Sequence, residues 1–238
     1  MQRSLTEMKI AIIGYGKMGK LIDHLAPEYG FDVGLRLNRE NNGNGQGFTK
    51  KNFEGVNVAI EFSTALVAAE NIERAARLGV SIVSGTTGWF AEIERARKAA
   101  EETGVGIVWG SNYSVGIQIF GQIVAQAARL MVTQAEYGSW AWEIHHAAKK
   151  DAPSGTLLAL VEKMEKANYT RRIDVNSNRA GEHPGTHEIG FDSGSDTITL
   201  RHVTRNRECY ARGALRAARW VAGKKGLFDF RDIFDQLE

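Results

Sequence analysis

One short segment of the chain, Trp142 to Thr156, combines two imidazoles, several cations and the sequence pattern of a helix start. His145 and His146 precede the Lys149-Lys150 pair, and Pro153-Ser154-Gly155-Thr156 then leads into an apolar run. This order predicts a capped helix N-terminus, where backbone N–H groups attract anions. Cations, such N–H groups and a proton donor at one place suit a substrate that carries carboxylates.

A second motif, Gly14-x-Gly16-x-x-Gly19, directly follows the apolar run Lys9 to Ile13. In such a motif the first glycine permits a tight turn, the second lets a pyrophosphate approach the backbone, and the third allows close helix packing. Because it lies between a predicted strand and a predicted helix, we interpret it as a dinucleotide site rather than a plain glycine turn. The predicted contacts are Gly14, Tyr15, Gly16, Lys17, Met18 and Gly19.

Asn38-Arg39 stands where the second strand of such a fold normally ends in an acid that binds the ribose hydroxyls of NAD. A neutral Asn38 does not repel a 2′-phosphate, and Arg39 can pair with one. The sequence therefore favours NADPH and leaves NADH or dual use open. Arg36 is an alternative phosphate partner, and a solvated loop arginine is the alternative interpretation of Arg39.

Small and hydroxyl residues follow three further predicted strands. Because the carboxyl ends of parallel strands form one ligand crevice, these loops are expected to converge on the nicotinamide half of the nucleotide. The predicted contacts are Phe62, Ser63, Gly85, Thr86, Thr87, Gly110, Ser111, Asn112 and Tyr113.

The elements that must position these residues alternate between strand and helix in the first half of the chain. Apolar runs predict strands at 9–13, 31–37, 56–60, 80–83 and 105–109, the last closing the series. Helical spacing predicts helices at 20–25, 65–78 and 90–102, the last with a Glu94–Lys98 pair. A glycine- and asparagine-rich loop is expected at 41–47. This alternation indicates an α/β fold with a doubly wound parallel sheet.

After Asn112 the pattern changes to one typical of an α+β domain with a mixed sheet. Helices are predicted at 117–132 and 156–166, and strands at 140–146, 173–176, 187–191 and 197–203. A helix at 214–222 is expected to return to the first domain. We therefore predict a dinucleotide-binding domain at 1–113, a substrate-binding and oligomerisation domain at 114–212, and a returning C-terminal helix at 213–238.

Composition excludes several classes of function. The 238 residues carry a net charge of +2, too mild for a nucleic-acid protein. The lone Cys209 requires no oxidising compartment, no apolar run reaches membrane-span length, and Met1 to Met8 lacks a signal peptide's apolar region. A cytoplasmic protein with no membrane partner and no metal is expected. The basic residues Arg201, Arg205, Arg207 and Arg212 suit either a solvated surface or a lining for an anion.

Taken together, four motifs resemble the 4-hydroxy-tetrahydrodipicolinate reductase (dihydrodipicolinate reductase) family over nearly the whole chain. They are the glycine motif, Gly85-Thr86-Thr87-Gly88, Ser111-Asn112-Tyr113-Ser114-Val115-Gly116 and Glu143-x-His145-His146-x-x-Lys149-x-Asp151-Ala152-Pro153-Ser154-Gly155-Thr156. The resemblance implies a Rossmann domain followed by a substrate domain whose sheets assemble a homotetramer. It also implies reduction of a cyclic dicarboxylate by NADH or NADPH in the diaminopimelate route to lysine.

Carried over residue by residue, the resemblance makes His145 and Lys149 the catalytic groups. It implies substrate contacts at His146, Lys149, Ser154, Gly155, Thr156 and Arg207. Alternation along a strand is expected to send the two histidines to opposite faces, so that they are not interchangeable. Arg205 competes with Arg207 because both are expected on one strand face, and the resemblance gives Arg179-Ala180-Gly181-Glu182 no role.

This chain departs from the family at Ala147-Ala148, where bulkier basic residues are common, so either substrate affinity is weaker or Lys150 compensates. Trp140 and Trp142 are interpreted as core or subunit-interface packing. Two other functions stay open. One is a different nicotinamide-dependent imine or amino-acid oxidoreductase of the same plan. The other is a non-catalytic regulator that senses NAD(P).

Overall fold

The computed structural model describes residues 8–237 and contains two sheets. The expectation for the first residues of the chain lies outside the described residues. The strands are β1 (Met8–Ile13), β2 (Phe31–Leu37), β3 (Val58–Glu61), β4 (Ser81–Ser84), β5 (Gly106–Trp109), β6 (Gly138–His145), β7 (Ile173–Arg179), β8 (Thr186–Asp192), β9 (Thr197–Val203) and β10 (Gly226–Asp229). The α-helices are α1 (Lys17–Leu25), α2 (Arg39–Asn42), α3 (Ala65–Arg77), α4 (Ile93–Thr103), α5 (Val115–Met131), α6 (Gly155–Lys166), α7 (Glu208–Val221) and α8 (Phe230–Ile233).

The chain forms two compact units, Met1–Ser114 with Tyr210–Glu238 and Val115–Cys209, of which residues 8–237 are described. The first contains a six-stranded sheet in the order β10-β5-β4-β3-β1-β2, in which every strand pair is parallel. Its inner strands β1, β3, β4 and β5 are mostly apolar and buried because helices cover the sheet, whereas the edge strands β2 and β10 are partly exposed. The predicted doubly wound α/β fold is confirmed.

The second unit contains a mixed sheet in the order β7-β6-β8-β9. Strand β6 is parallel to β7 and antiparallel to β8, which in turn is antiparallel to β9. Residues of β6 alternate between buried and half-buried, so one face of the strand is covered. A core that includes Phe120, Leu157 and Ile189 joins α5 and α6 to this sheet. The predicted mixed-sheet second domain is confirmed.

Several sequence expectations about elements are wrong. β5 is not the last strand of the sheet, because β10 pairs with it in parallel. β10 has only four residues and begins with a glycine, so its sequence shows no strand period. The expected Glu94–Lys98 pair is not formed, since Arg97 takes Glu94 and Lys98 pairs with Glu102. α2 covers the start of the loop expected at 41–47, because Asn38 caps a short helix there.

β6 ends at His145, so His146 lies beyond the strand rather than on its opposite face. β9 ends at Val203, so Arg205 and Arg207 lie in the following turn and do not share a strand face. None of the helices within the described residues is long and apolar enough to cross a membrane.

Candidate active site

The turn after β1 has no space for side chains at two of its glycines. A Cβ at Gly14, whose φ is +94°, would lie 2.2 Å from the Phe62 carbonyl oxygen, and one at Gly19 would lie 2.4 Å from the Gly14 oxygen. A Cβ at Gly16 would meet nothing within 4 Å. Gly16 is the N-cap residue of α1 and provides no side-chain cap. The turn is therefore closed on the protein side and open where a phosphate meets a helix N-terminus.

A cavity of about 380 Å³ lies at this edge of the sheet. Its walls come from the turn after β1 and from the loops that follow β3 and β4, because the strands of a parallel sheet end at one edge. The structure thus brings together residues from three of the predicted loops. The lining residues are Gly16, Lys17, Met18, Phe62, Ser63, Thr64, Ala65, Gly85, Thr86 and Thr87.

The buried carboxylate of Glu61 ties two of these loops together, and sequence reasoning did not assign it a role. It accepts hydrogen bonds from the Ser63 backbone N–H (2.9 Å), from Ser84 Oγ (2.7 Å) and from Thr86 Oγ1 (3.0 Å), and also from Ser63 Oγ. Burial raises the pKa of Glu61, although these hydrogen bonds oppose the shift. The sequence signal that could have identified Glu61 is an acidic residue at the end of a predicted strand, close to hydroxyl residues in the loop that follows.

Asn38 and Arg39, which the sequence predicts to select between NADPH and NADH, follow the end of β2. Asn38 caps α2 by accepting hydrogen bonds from the N–H groups of Glu40 (2.9 Å) and Asn41 (3.1 Å). Arg39 is exposed. Arg36 donates two hydrogen bonds of 2.7 Å to Asp23, so it is already engaged by a carboxylate.

The residues after β5 do not line the cavity. Tyr113 is buried, and its hydroxyl donates to the Ser84 carbonyl at 2.9 Å. The Gly110 N–H donates to the same carbonyl oxygen at 3.2 Å. Ser111 is exposed, and Asn112 accepts a hydrogen bond from the Ser114 N–H at 2.9 Å. Tyr15, in the first glycine turn, donates to Asp23.

In the second unit, the fully buried Glu143 on β6 lies at the centre of a polar cluster. Its Oε1 accepts from the Ser154 N–H (2.8 Å), from Arg179 Nη2 (2.9 Å) and from Ser177 Oγ (3.1 Å). Its Oε2 accepts from Ser154 Oγ and lies 3.4 Å from both His145 Nδ1 and His187 Nε2. Register explains the assembly, since β7 places Ser177 and β8 places His187 opposite Glu143.

The electrostatics of this cluster depend on burial and on the cations around Glu143. Burial by itself would raise the pKa of Glu143, but hydrogen bonds from His187, Ser154 and Arg179 outweigh it and hold the pKa well below the usual range. Burial lowers the pKa of His145 to about 4; Glu143 opposes the shift, and His187, Lys149 and Arg179 add to it. His145 is therefore neutral at neutral pH.

Lys149 lies in the loop after β6, and its Nζ already contacts a carboxylate. It donates to both oxygens of Asp151, at 2.8 and 3.0 Å. Ser154 caps α6 by accepting a hydrogen bond from the Leu157 N–H at 3.1 Å, as the sequence predicted. The Ser154 side chain is thereby shared between Glu143 and the helix.

The other predicted substrate contacts differ in their settings. Gly155 begins α6 and is exposed, Thr156 is half-buried in its first turn, and His146 is half-buried beyond the end of β6. Arg207 lies exposed in the turn before α7, and the structure records no contact between it and Glu143, His145 or Lys149. Arg179, to which the sequence assigned no role, is in the cluster instead. Strand register brought it there, and local sequence gave no signal of that.

Glu143, His145 and His187 also offer three ligand atoms within 4.8 Å of one another. Because the Arg179 guanidinium neutralises the carboxylate, an ion pair explains this cluster and we identify no metal ligands in it. The absence of a metal stays a prediction.

Comparison with known proteins gives matches over both halves of the chain. The family model for the dihydrodipicolinate reductase N-terminus matches residues 8–113, and the one for the C-terminus matches residues 116–234. A 4-hydroxy-tetrahydrodipicolinate reductase of Methanoregula boonei is 38% identical over 74% of this chain and 74% of its own. One of Christiangramia forsetii is 29% identical over 97% of this chain and 99% of its own.

Solved structures share the fold. The dipicolinate-bound dihydrodipicolinate reductase from Paenisporosarcina sp. TG-14 superposes with a TM-score of 0.79 at 19% identity, covering 96% of this chain and 100% of that one. An engineered D-amino acid dehydrogenase bound to NADP+ has a TM-score of 0.55 at 16% identity, covering 95% of this chain and 94% of that one.

Proposed function

The chain belongs to the dihydrodipicolinate reductase family, and from that premise we propose that it reduces 4-hydroxy-tetrahydrodipicolinate to tetrahydrodipicolinate in the diaminopimelate route to lysine. The observation that carries the proposal is the match over both halves, together with the presence of His145, Lys149 and Ser154-Gly155-Thr156 in the motif that resembles the family. It favours this reductase over another imine or amino-acid oxidoreductase and over a non-catalytic sensor of NAD(P).

The first unit fits a nicotinamide nucleotide. The glycine turn excludes side chains on its inner side, and α1 begins beside the cavity of about 380 Å³. Lys17 and Met18 in the first turn of α1 would hold the phosphates, and Ser63 and Thr86 would face the nicotinamide half. A reduced nicotinamide would supply the hydride, a proton would come from the second unit, and the 4-hydroxyl group of the substrate would leave as water. We propose NADPH as the preferred nucleotide because Asn38 is neutral and Arg39 is exposed beside it.

The second unit supplies charge and proton. Lys149 offers an ammonium to one substrate carboxylate, and the start of α6 at Gly155 and Thr156 offers backbone N–H groups to the other. His145 is neutral before substrate binds and would donate a hydrogen bond to the substrate. A bound dianion raises the proton affinity of His145, because nearby negative charge favours the imidazolium.

A homotetramer and a cytoplasmic location complete the proposal. On β6, Trp140, Trp142 and Ile144 alternate with buried residues and lie half-buried on the opposite face of the sheet. A partly apolar sheet face that its own helices leave open suits contact with a second copy.

Coupled turnover with enzymatically generated substrate tests the function, with nicotinamide absorbance followed for NADPH and NADH. We expect turnover, and Lys149→Ala is expected to lower it by about two to four orders of magnitude with nucleotide affinity retained. Lys166→Ala, which removes an exposed lysine paired with Glu162, serves as the matched control. Nucleotide binding without turnover would favour a sensor, and turnover of other imines alone would favour a different oxidoreductase.

A further inference from the structure

A single carboxylate oxygen in the second unit is approached by two imidazoles. Glu143 Oε2 lies 3.4 Å from His145 Nδ1 and 3.4 Å from His187 Nε2. All three side chains are buried, with 0% exposure at Glu143, 8% at His145 and 4% at His187. Water is therefore a poor alternative partner for either ring.

Glu143 is approached by more donors than it can accept. A carboxylate has about four lone-pair positions, two on each oxygen. The Ser154 N–H, Arg179 and Ser177 already donate to Oε1, and Ser154 Oγ donates to Oε2. These donors already match the usual capacity of a carboxylate, and both imidazoles approach only Oε2, so the histidines compete for what acceptor capacity Oε2 has left.

The positions of the two rings indicate which one is better placed to donate a hydrogen bond to Glu143. β8 pairs His187 directly with Glu143, whereas His145 lies two residues along β6 from it. His187 Nε2 also lies 3.4 Å from Ser154 Oγ, so it faces both Glu143 and Ser154. His145 Nδ1 is buried and has no hydrogen-bond partner among the described residues. The ring centroids are 5.2 Å apart, so the charge of one ring affects the protonation of the other.

We propose that His187 is a positioning residue for His145: its Nε2–H donates to Glu143 and occupies the acceptor position that His145 Nδ1–H would otherwise fill. His145 is thereby kept neutral, with its proton on the other ring nitrogen and available as a hydrogen-bond donor. A catalytic benefit of a neutral His145 rests on the proposed function, whereas the competition of the two histidines for Glu143 does not.

Four charged or titratable groups among the described residues act most strongly on His145. They are Glu143 on β6, Arg179 on β7, His187 on β8 and Lys149 in the loop after β6. Farther along, His202 on β9 pairs with His187 and packs against Phe120. His202 has no contact with Glu143 in the described structure, so it provides a matched control.

Imidazole NMR of the full-length protein without ligands tests the proposal independently of activity. Long-range ¹H–¹⁵N spectra at neutral pH should show His187 protonated at Nε2 and His145 unprotonated at Nδ1, with His145→Gln and His187→Gln used for assignment. A native spectrum with the His145 proton on Nδ1 overturns the proposal, and it needs no variant to fold. A failed turnover assay beside the expected spectrum would refute only the function.

Variants then test the competition. His187→Leu removes the donor, and the pKa of His145 should rise by about one unit or more, because Glu143 becomes available to it. His187→Gln retains an N–H donor and should keep the His145 titration near its native position. His202→Leu should leave it in place. An unmoved His145 titration in a folded His187→Leu protein, or equal shifts in all three variants, contradicts the proposal.

Discussion

At the residue scale, Lys149 is bound to a carboxylate of its own chain. Asp151 is 57% exposed at its side chain and accepts both hydrogen bonds from Lys149 Nζ. A dicarboxylate substrate that uses Lys149 must displace Asp151 first. Exposed ion pairs are worth at most about 1 kcal/mol, so this competition is a modest one.

We therefore predict that Asp151→Asn lowers the KM for the dicarboxylate by up to about fivefold and leaves kcat nearly unchanged, since 1 kcal/mol corresponds to that factor. Initial rates at saturating NADPH measure it. Asp174→Asn, which removes an exposed carboxylate paired with Arg172, is the matched control and should change neither constant. A higher KM in Asp151→Asn would show that Asp151 orients Lys149 rather than competing with substrate.

Asn38 permits a clean test of nucleotide choice. Aspartate caps helices as well as asparagine does, so Asn38→Asp retains the bonds to Glu40 and Asn41 while adding a negative charge. We expect kcat/KM for NADPH to fall about tenfold or more, with that for NADH unchanged or higher. Equal losses with both nucleotides would mean that position 38 acts on stability alone.

Neutral His145 also makes stability depend on pH. The unfolded chain protonates this ring near pH 6.5 and the folded chain only near pH 4, so between these values the unfolded state binds more protons. Stability is thus lost as pH falls through this window, by about 2 kcal/mol at pH 5. Glu143, whose pKa is lowered, adds a loss of the same sign at lower pH. Urea unfolding at pH 7.5 and 5.0 should show a smaller drop for His145→Gln than for the native chain.

At the scale of elements, α7 packs closely against the end of the parallel-sheet unit. A Cβ at Gly213 would lie 1.7 Å from the Tyr113 carbonyl oxygen, which is backbone and cannot rotate away. Gly213→Ala must therefore shift the helix, and we expect a loss of about 1–3 kcal/mol in thermal or urea unfolding. Gly194→Ala, where a Cβ meets nothing within 4 Å, is the matched control. Equal stability of the two variants would contradict this packing.

Elements with strong periodicity could be predicted from sequence, whereas contacts between them could not. β2 and β9 have the predicted bounds because their residues match a strand pattern throughout. β10 escaped prediction because four residues show no period and only pairing with β5 makes them a strand. In the candidate site, Glu143 and His145 stood within one motif, but Arg179 and His187 reach it through the registers of β7 and β8. Register is a long-range property that single residues do not encode.

At the scale of the whole molecule, the sequence of the second unit is shaped by a sheet with one covered face. Gly190 permits Trp140 to lie across β8, since a Cβ there would be 2.0 Å from the indole ring. Trp142 donates its indole N–H to Asn178 at 2.6 Å on the same face. Thr199 on β9 pairs with Gly190 in this row and is exposed. These side chains give the uncovered face a fixed, partly apolar surface.

If copies of the chain meet through this face, a buried charge there must prevent assembly, because an unpaired carboxylate costs several kcal/mol to desolvate. We predict that the native protein has about four times the 26.2 kDa chain mass in light scattering, and that Thr199→Glu reduces it. Leu130→Glu, at a position 65% exposed on α5, should leave the mass unchanged. If the native protein has the mass of a single chain, assembly through the sheet is excluded. The same conclusion follows if Leu130→Glu reduces the mass and Thr199→Glu does not. Retained turnover in a dissociated Thr199→Glu protein would further show that each chain carries a complete site.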